Sequence, residues 1–136
     1  MGDQPLSIFQ VSGRAMSAQL VRMNTTASNL ANAGSVASSS AAAYRSMKPV
    51  FRTHFDQASG MSTVDVESVI QAGAEPTKRY DPGNPMADRD GNVWESAVDE
   101  TQELVDMLET ARSYQNNVEV MQTAKQLIVD TLKLGR

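Results

Sequence analysis

Between residues 98 and 134, apolar or small side chains recur at Leu104, Met107, Ala111, Tyr114, Val118, Met121 and Ile128. The steps are three and four residues, broken once where Lys125 interrupts and Ala124 stands beside it. A mean spacing of 3.5 predicts a coiled-coil seam rather than the broader 3.6 face of a globular helix. No Gly or Pro interrupts the stretch before Gly135, and helix formers such as Glu103, Leu108 and Gln115 fill it. A second seam runs through Phe9, Gly13, Met16, Leu20, Met23, Ala27 and Leu30, again in alternating fours and threes. Ser7 is placed as its N-cap, with Pro5 just ahead.

The pattern changes between the two helices. Ala33 to Ala43 (AGSVASSSAAA) lacks periodicity and reads as a linker, flexible when isolated. Val50 to Phe55 and Thr63 to Ile70 alternate as strands do. Asp81-Pro82-Gly83-Asn84-Pro85 must turn, and Asp90-Gly91 favours a hairpin before Val93. The expected fold is therefore mainly α: long N- and C-terminal helices forming a coiled-coil stalk, with a small β-rich insert of two to four short strands. The corresponding division is 1–33, a linker 34–43, an insert 44–95, and 96–136. A C-terminal helix of this length runs roughly 55 Å, longer than the ~36 Å diameter of a compact chain of this size. Such a helix needs a partner along its length. The two seams are expected to pair antiparallel within one chain, Phe9, Met16, Leu20, Met23 and Leu30 facing Leu104, Met107, Ala111, Val118 and Met121.

Composition narrows the function. A net charge of −4 without a Lys/Arg cluster argues against nucleic acid. The absence of cysteine excludes disulfides, thiolate metal sites and a Cys nucleophile. No apolar run reaches the ~20 residues that span a bilayer, and no secretory signal is visible at the start. His54 is the sole histidine, so a His-based triad or two-His metal site is excluded; it reads as a surface strand residue. Asp88-Arg89-Asp90-Gly91 resembles part of a calcium loop, but Met86 stands at the first ligand position and Ala97 at the last. No catalytic, cofactor or metal residues are expected, and no enzyme. The amides Gln115, Asn116, Asn117, Gln122 and Gln126 mark either an inter-subunit polar face or a merely solvated one.

The motifs themselves are familiar. RSYQNNVEVMQTAKQL (Arg112 to Leu127) resembles the C-terminal signature of the bacterial flagellar basal-body rod proteins, and ASNLANA (Ala27 to Ala33) their N-terminal signature. YDPGNPMADRDGNV (Tyr80 to Val93) and the closing LKLGR are similar to the proximal-rod member. The departures are the Ser/Ala-rich Val36–Ala43, where relatives often carry Gly and Pro, and Asn116, where a small residue is commoner. The resemblance implies a structural subunit that polymerises through its terminal helices into the drive shaft and export conduit of the basal body. It implies export without a cleaved signal through the flagellar type III apparatus and a place in the periplasm. Its implied partners are further copies of itself, other rod proteins and adjacent basal-body components. The packing interface would then comprise Phe9, Met16, Leu20, Met23, Leu30, Leu104, Met107, Ala111, Tyr114, Val118, Met121 and Ile128. The rival reading is a soluble coiled-coil adaptor or export chaperone.

Overall fold

A computed structural model describes residues 7–135. Helix α1 spans Ile8–Ala31 and opens on a capping box. Ser7 Oγ accepts from the Gln10 amide at 3.3 Å, and Gln10 Oε1 accepts from the Ser7 amide at 2.9 Å. These two bonds satisfy amides that a helix start leaves orphaned. Pro5, placed ahead of the cap by the sequence, lies outside the described residues. Asn32 ends the helix, its side-chain amide donating to Ser28 O at 2.8 Å.

Five strands follow: β1 (Val36–Ala37), β2 (Met47–Asp56), β3 (Met61–Gln71), β4 (Thr77–Tyr80) and β5 (Asn92–Glu95). Helix α2, Glu100–Leu134, closes the chain with Asp99 as its N-cap, accepting from the Gln102 amide at 3.1 Å. Glu100 and Glu103 in its first turn and Lys133 in its last complement the helix dipole.

β2 and β3 form an antiparallel hairpin, with Thr53 opposite Val64 and a register shift between Val50 and Phe51. Gly60 turns it at φ +68°, in the left-handed region where a Cβ is penalised. Phe51, Thr53 and Val64 line a cavity with Ala15, Ala18 and Gln19 of α1. Arg14 adds an ion pair to Asp65 at 3.3 Å. Near the other end of α1, Asn29 reaches Met47, so the hairpin lies lengthwise along the helix. The second sheet has the order β1-β5-β4, all antiparallel. Its central Val93 is completely buried, and Lys78 sits over the Trp94 ring at 5.9 Å. β1, within the Ser/Ala stretch, pairs Val36 with Glu95 and Ala37 with Trp94. The 81–91 loop closes on itself: the Asp81 amide donates to Gly91 O, and Asp88 Oδ1 accepts from the Asp90 and Asn92 amides, each at 2.9 Å.

The expected mainly α, coiled-coil stalk is corrected here. Helices of 24 and 35 residues leave more than half the chain outside helix, and strands in two sheets form a substantial part of it. α1 and α2 do pack together. They run antiparallel, since Asn29 meets Glu103 while Arg22 meets Asp106 and Glu109. The fully buried residues, however, are Ser12, Ala18, Thr26 and Asn29 on α1, Ala18 among them on the hairpin side, and Glu103 and Thr110 on α2. A coiled coil needs large apolar knobs at those places. Small and polar side chains fill them instead, and α1 is also packed against the hairpin on another face.

Candidate assembly surface

Asn29, only 1% exposed, joins four segments. Its Nδ2 donates to Glu103 Oε1 and to Met47 O, both at 3.0 Å. Its Oδ1 accepts from the Tyr44 hydroxyl and the Met47 amide, both at 2.8 Å. The Tyr44 hydroxyl also lies 3.1 Å from Ser28 Oγ. One amide thus uses both donors and both acceptor positions, which fixes the start of α2 against the end of α1 and the start of β2. The buried Glu103 carboxylate receives a donor there, as a buried charge requires.

The α2 positions turned toward α1 step by sevens: Glu103 and Thr110 are buried, Asn117 and Ala124 half-buried. That line sits one residue before the seam read from the sequence at Leu104, Ala111 and Val118. Of the residues expected at the packing interface, Phe9, Met16, Met23, Leu30, Met107, Tyr114, Val118 and Met121 are half-buried, whereas Leu20, Leu104, Ala111 and Ile128 are exposed. Leu104, Leu108, Leu127 and Leu132 are 54%, 70%, 61% and 67% exposed. Among the described residues, the buried apolar side chains are Ala18, Ala33, Ala37, Ala43 and Val93, all small. Many large hydrophobic side chains therefore stay exposed, several of them leucines on α2, which is more apolar surface than a self-sufficient domain needs to show. Asn29 and Glu103 were missed by the seam reading because it sorted positions by apolarity. The available signal was the placement of Asn29 inside the ASNLANA motif.

Exposed apolar side chains recur along α2, at Leu104, Leu108, Val120, Leu127, Ile128 and Leu132. Among the described residues, no cluster of three or more His, Asp or Glu residues is arranged to hold a metal ion. Among the described residues, no helix is long and apolar enough to cross a membrane. Residues 9–34 match the family described as flagella basal body rod protein, and residues 89–134 the C-terminal family of flagellar basal body rod FlgEFG proteins. The flagellar basal-body rod protein FlgC of Salmonella typhimurium is 44% identical over 133 residues, covering 96% of this chain and 98% of the relative. This chain belongs to the FlgC family of flagellar basal-body rod proteins. FlgC of Escherichia coli O6:H1 is 41% identical, and that of Agrobacterium fabrum 33%, each over 96% of this chain. The two matched families cover α1 and α2 almost entirely, so the rod-family signatures lie on the helices that carry the clasp and the exposed leucines. FlgC proteins are structural components of the basal body rather than enzymes.

Proposed function

We propose that the protein polymerises through α1 and α2 into the proximal rod, which transmits torque and encloses the export channel. On this reading the chain crosses the inner membrane unfolded through the flagellar type III apparatus and assembles in the periplasm. Its neighbours there are further copies of itself, other rod proteins and the basal-body components beneath them. The observation that carries the reading is the exposure of Leu104, Leu108, Leu127 and Leu132 along α2. The chain exposes 9212 Å², whereas a compact monomer of 14.7 kDa exposes about 6,900 Å². Membership of the rod-protein family and the exposed leucines of α2 both support this reading.

The test is Leu127→Asp and Leu132→Asp, introduced separately. Both residues are exposed, so the isolated chain should keep its urea midpoint. Cells should make and export the variant yet build no complete rods and not swim. Normal swimming with both variants would overturn assembly through α2.

A further inference from the structure

Asp90-Gly91 is the one place in the chain where an Asp or Asn precedes a glycine. Glycine has no side chain to hinder its own amide nitrogen from attacking the aspartyl side chain before it. In that attack the Gly91 nitrogen bonds to Asp90 Cγ, water leaves, and a five-membered imide forms. A second water then opens the imide. Cleavage of the C–N bond to the side-chain carbonyl restores Asp90. Cleavage of the bond to the main-chain carbonyl leaves the chain running through the side chain, as isoaspartate. The net change is an isomerisation that consumes no other reactant. Asp90 is exposed, so water reaches it.

The folded loop holds Gly91 away from this attack. Residues 88–91 form a turn closed by the Gly91 amide, which donates to Asp88 O at 3.1 Å. Gly91 O accepts from the Asp81 amide at 2.9 Å, so both backbone groups of the glycine are engaged. Asp88 Oδ1 braces the turn by accepting from the Asp90 and Asn92 amides. Tyr80 and Pro82 close over Gly91, each 3.0 Å from where a Cβ would stand. Bringing the Gly91 nitrogen onto the Asp90 side chain requires rotation about the Asp90 Cα–C bond, which breaks the bond to Asp88 O. The reaction therefore waits on opening of the loop, and its rate follows the population of the open form.

We propose that Asp90 is a site of isoaspartate formation held in check by Asp88: the unfolded chain undergoes the reaction, and the folded loop suppresses it. The product carries one extra main-chain carbon between Asp90 and Gly91. Directly after the turn, Asn92 pairs with Tyr80 and Val93 with Arg79, and Val93 is completely buried. A lengthened turn shifts that pairing, so the modification marks a chain whose β5 no longer seats in the sheet. The inference concerns a single chain and stands apart from the assembly reading.

The full-length chain is incubated at neutral pH, in native buffer and in guanidinium chloride. Isoaspartate is measured with a protein isoaspartyl methyltransferase and located by fragmentation mass spectrometry. In denaturant it should accumulate at Asp90 ahead of every other Asp or Asn, and the folded chain should be slower by about a hundredfold or more. Folded Asp88→Ala should react about tenfold faster than the unaltered folded chain, because it loses the acceptor of two loop amides. Asp88→Asn keeps an acceptor oxygen and should stay as slow as the unaltered chain. Circular dichroism checks that both variants are folded. Should Asp88→Ala unfold, the comparison of the unaltered chain in buffer and in denaturant still decides. Equal rates in those two conditions would overturn the suppression by the fold. Isoaspartate that spares Asp90 in denaturant would overturn the site. A folded Asp88→Ala no faster than the unaltered chain, or Asp88→Asn as fast as Asp88→Ala, would overturn the part given to Asp88.

Discussion

Asn29 Nδ2 donates to Glu103 Oε1 at 3.0 Å, joining the end of α1 to the start of α2 across 74 residues of sequence. The bond connects the two halves of the chain that carry the rod-family matches. It also explains how a polar pair can sit inside a helix interface: each group there finds a partner, so neither is left desolvated and unpaired.

Asn29→Ala removes the donor to Glu103 and the acceptor for Tyr44 and the Met47 amide. Leaving a buried carboxylate and a backbone amide unpaired should lower stability by about 3 kcal/mol or more. Urea unfolding followed by circular dichroism measures it. A loss below about 1 kcal/mol would show that the clasp is dispensable.

Tyr44→Phe deletes one hydroxyl from the same network and leaves the ring. The expected loss is about 1 kcal/mol. Combined with Asn29→Ala, the two effects should fall short of additive, because both act on one hydrogen-bonded unit. Strict additivity in a double-mutant cycle would contradict the network.

Gly91→Ala should destabilise more than Gly60→Ala. Both glycines have positive φ, +78° and +68°, so each alanine meets backbone strain of about 1 kcal/mol. At Gly91 the added Cβ also lies 3.0 Å from Pro82 Cβ and from Tyr80 Cε2, while nothing crowds Gly60. Thermal unfolding of both variants ranks them, and equal shifts in Tm would count against the loop packing.

Asp88→Ala removes the carboxylate oxygen that accepts from two loop amides at 2.9 Å. A loss of about 1–2 kcal/mol is expected, identical with calcium or with a chelator. A calcium-dependent difference in Tm for the unaltered protein would restore the metal reading of Asp88-Arg89-Asp90-Gly91.

Leu108→Asp tests the surface separately from the fold. The residue is 70% exposed, so the isolated chain should change by no more than about 0.5 kcal/mol. Within a rod the same carboxylate would be buried without a partner, at several kcal/mol per contact. Basal-body counts should fall and motility should cease. A swimming strain would place the assembly surface elsewhere.

The sequence by itself determined both terminal helices, the Ser7 cap, the β2 and β3 stretches and the turn chemistry around Asp81 and Gly91. Each depends on local physics: a period of 3.5 or 2, a capping hydroxyl, or a residue that tolerates the turn. The motifs in Arg112 to Leu127 and Tyr80 to Val93 also pointed to the rod family without any structure. Tertiary structure alone decided which face of each helix turns inward. Periodicity shows that a seam exists, but it cannot show whether the intrachain partner or another molecule covers it. Here Glu103 and Thr110 face α1, while Leu104 and Leu108 face outward, because Asn29, Tyr44 and Met47 provide partners for a polar contact that no local rule anticipates. The pairing of β1 with β5 was equally hidden. Two residues of a Ser/Ala stretch have no strand signal of their own, and they become a strand when Trp94 and Glu95 offer backbone partners. A helix face and a two-residue strand are properties of the neighbour as much as of the segment.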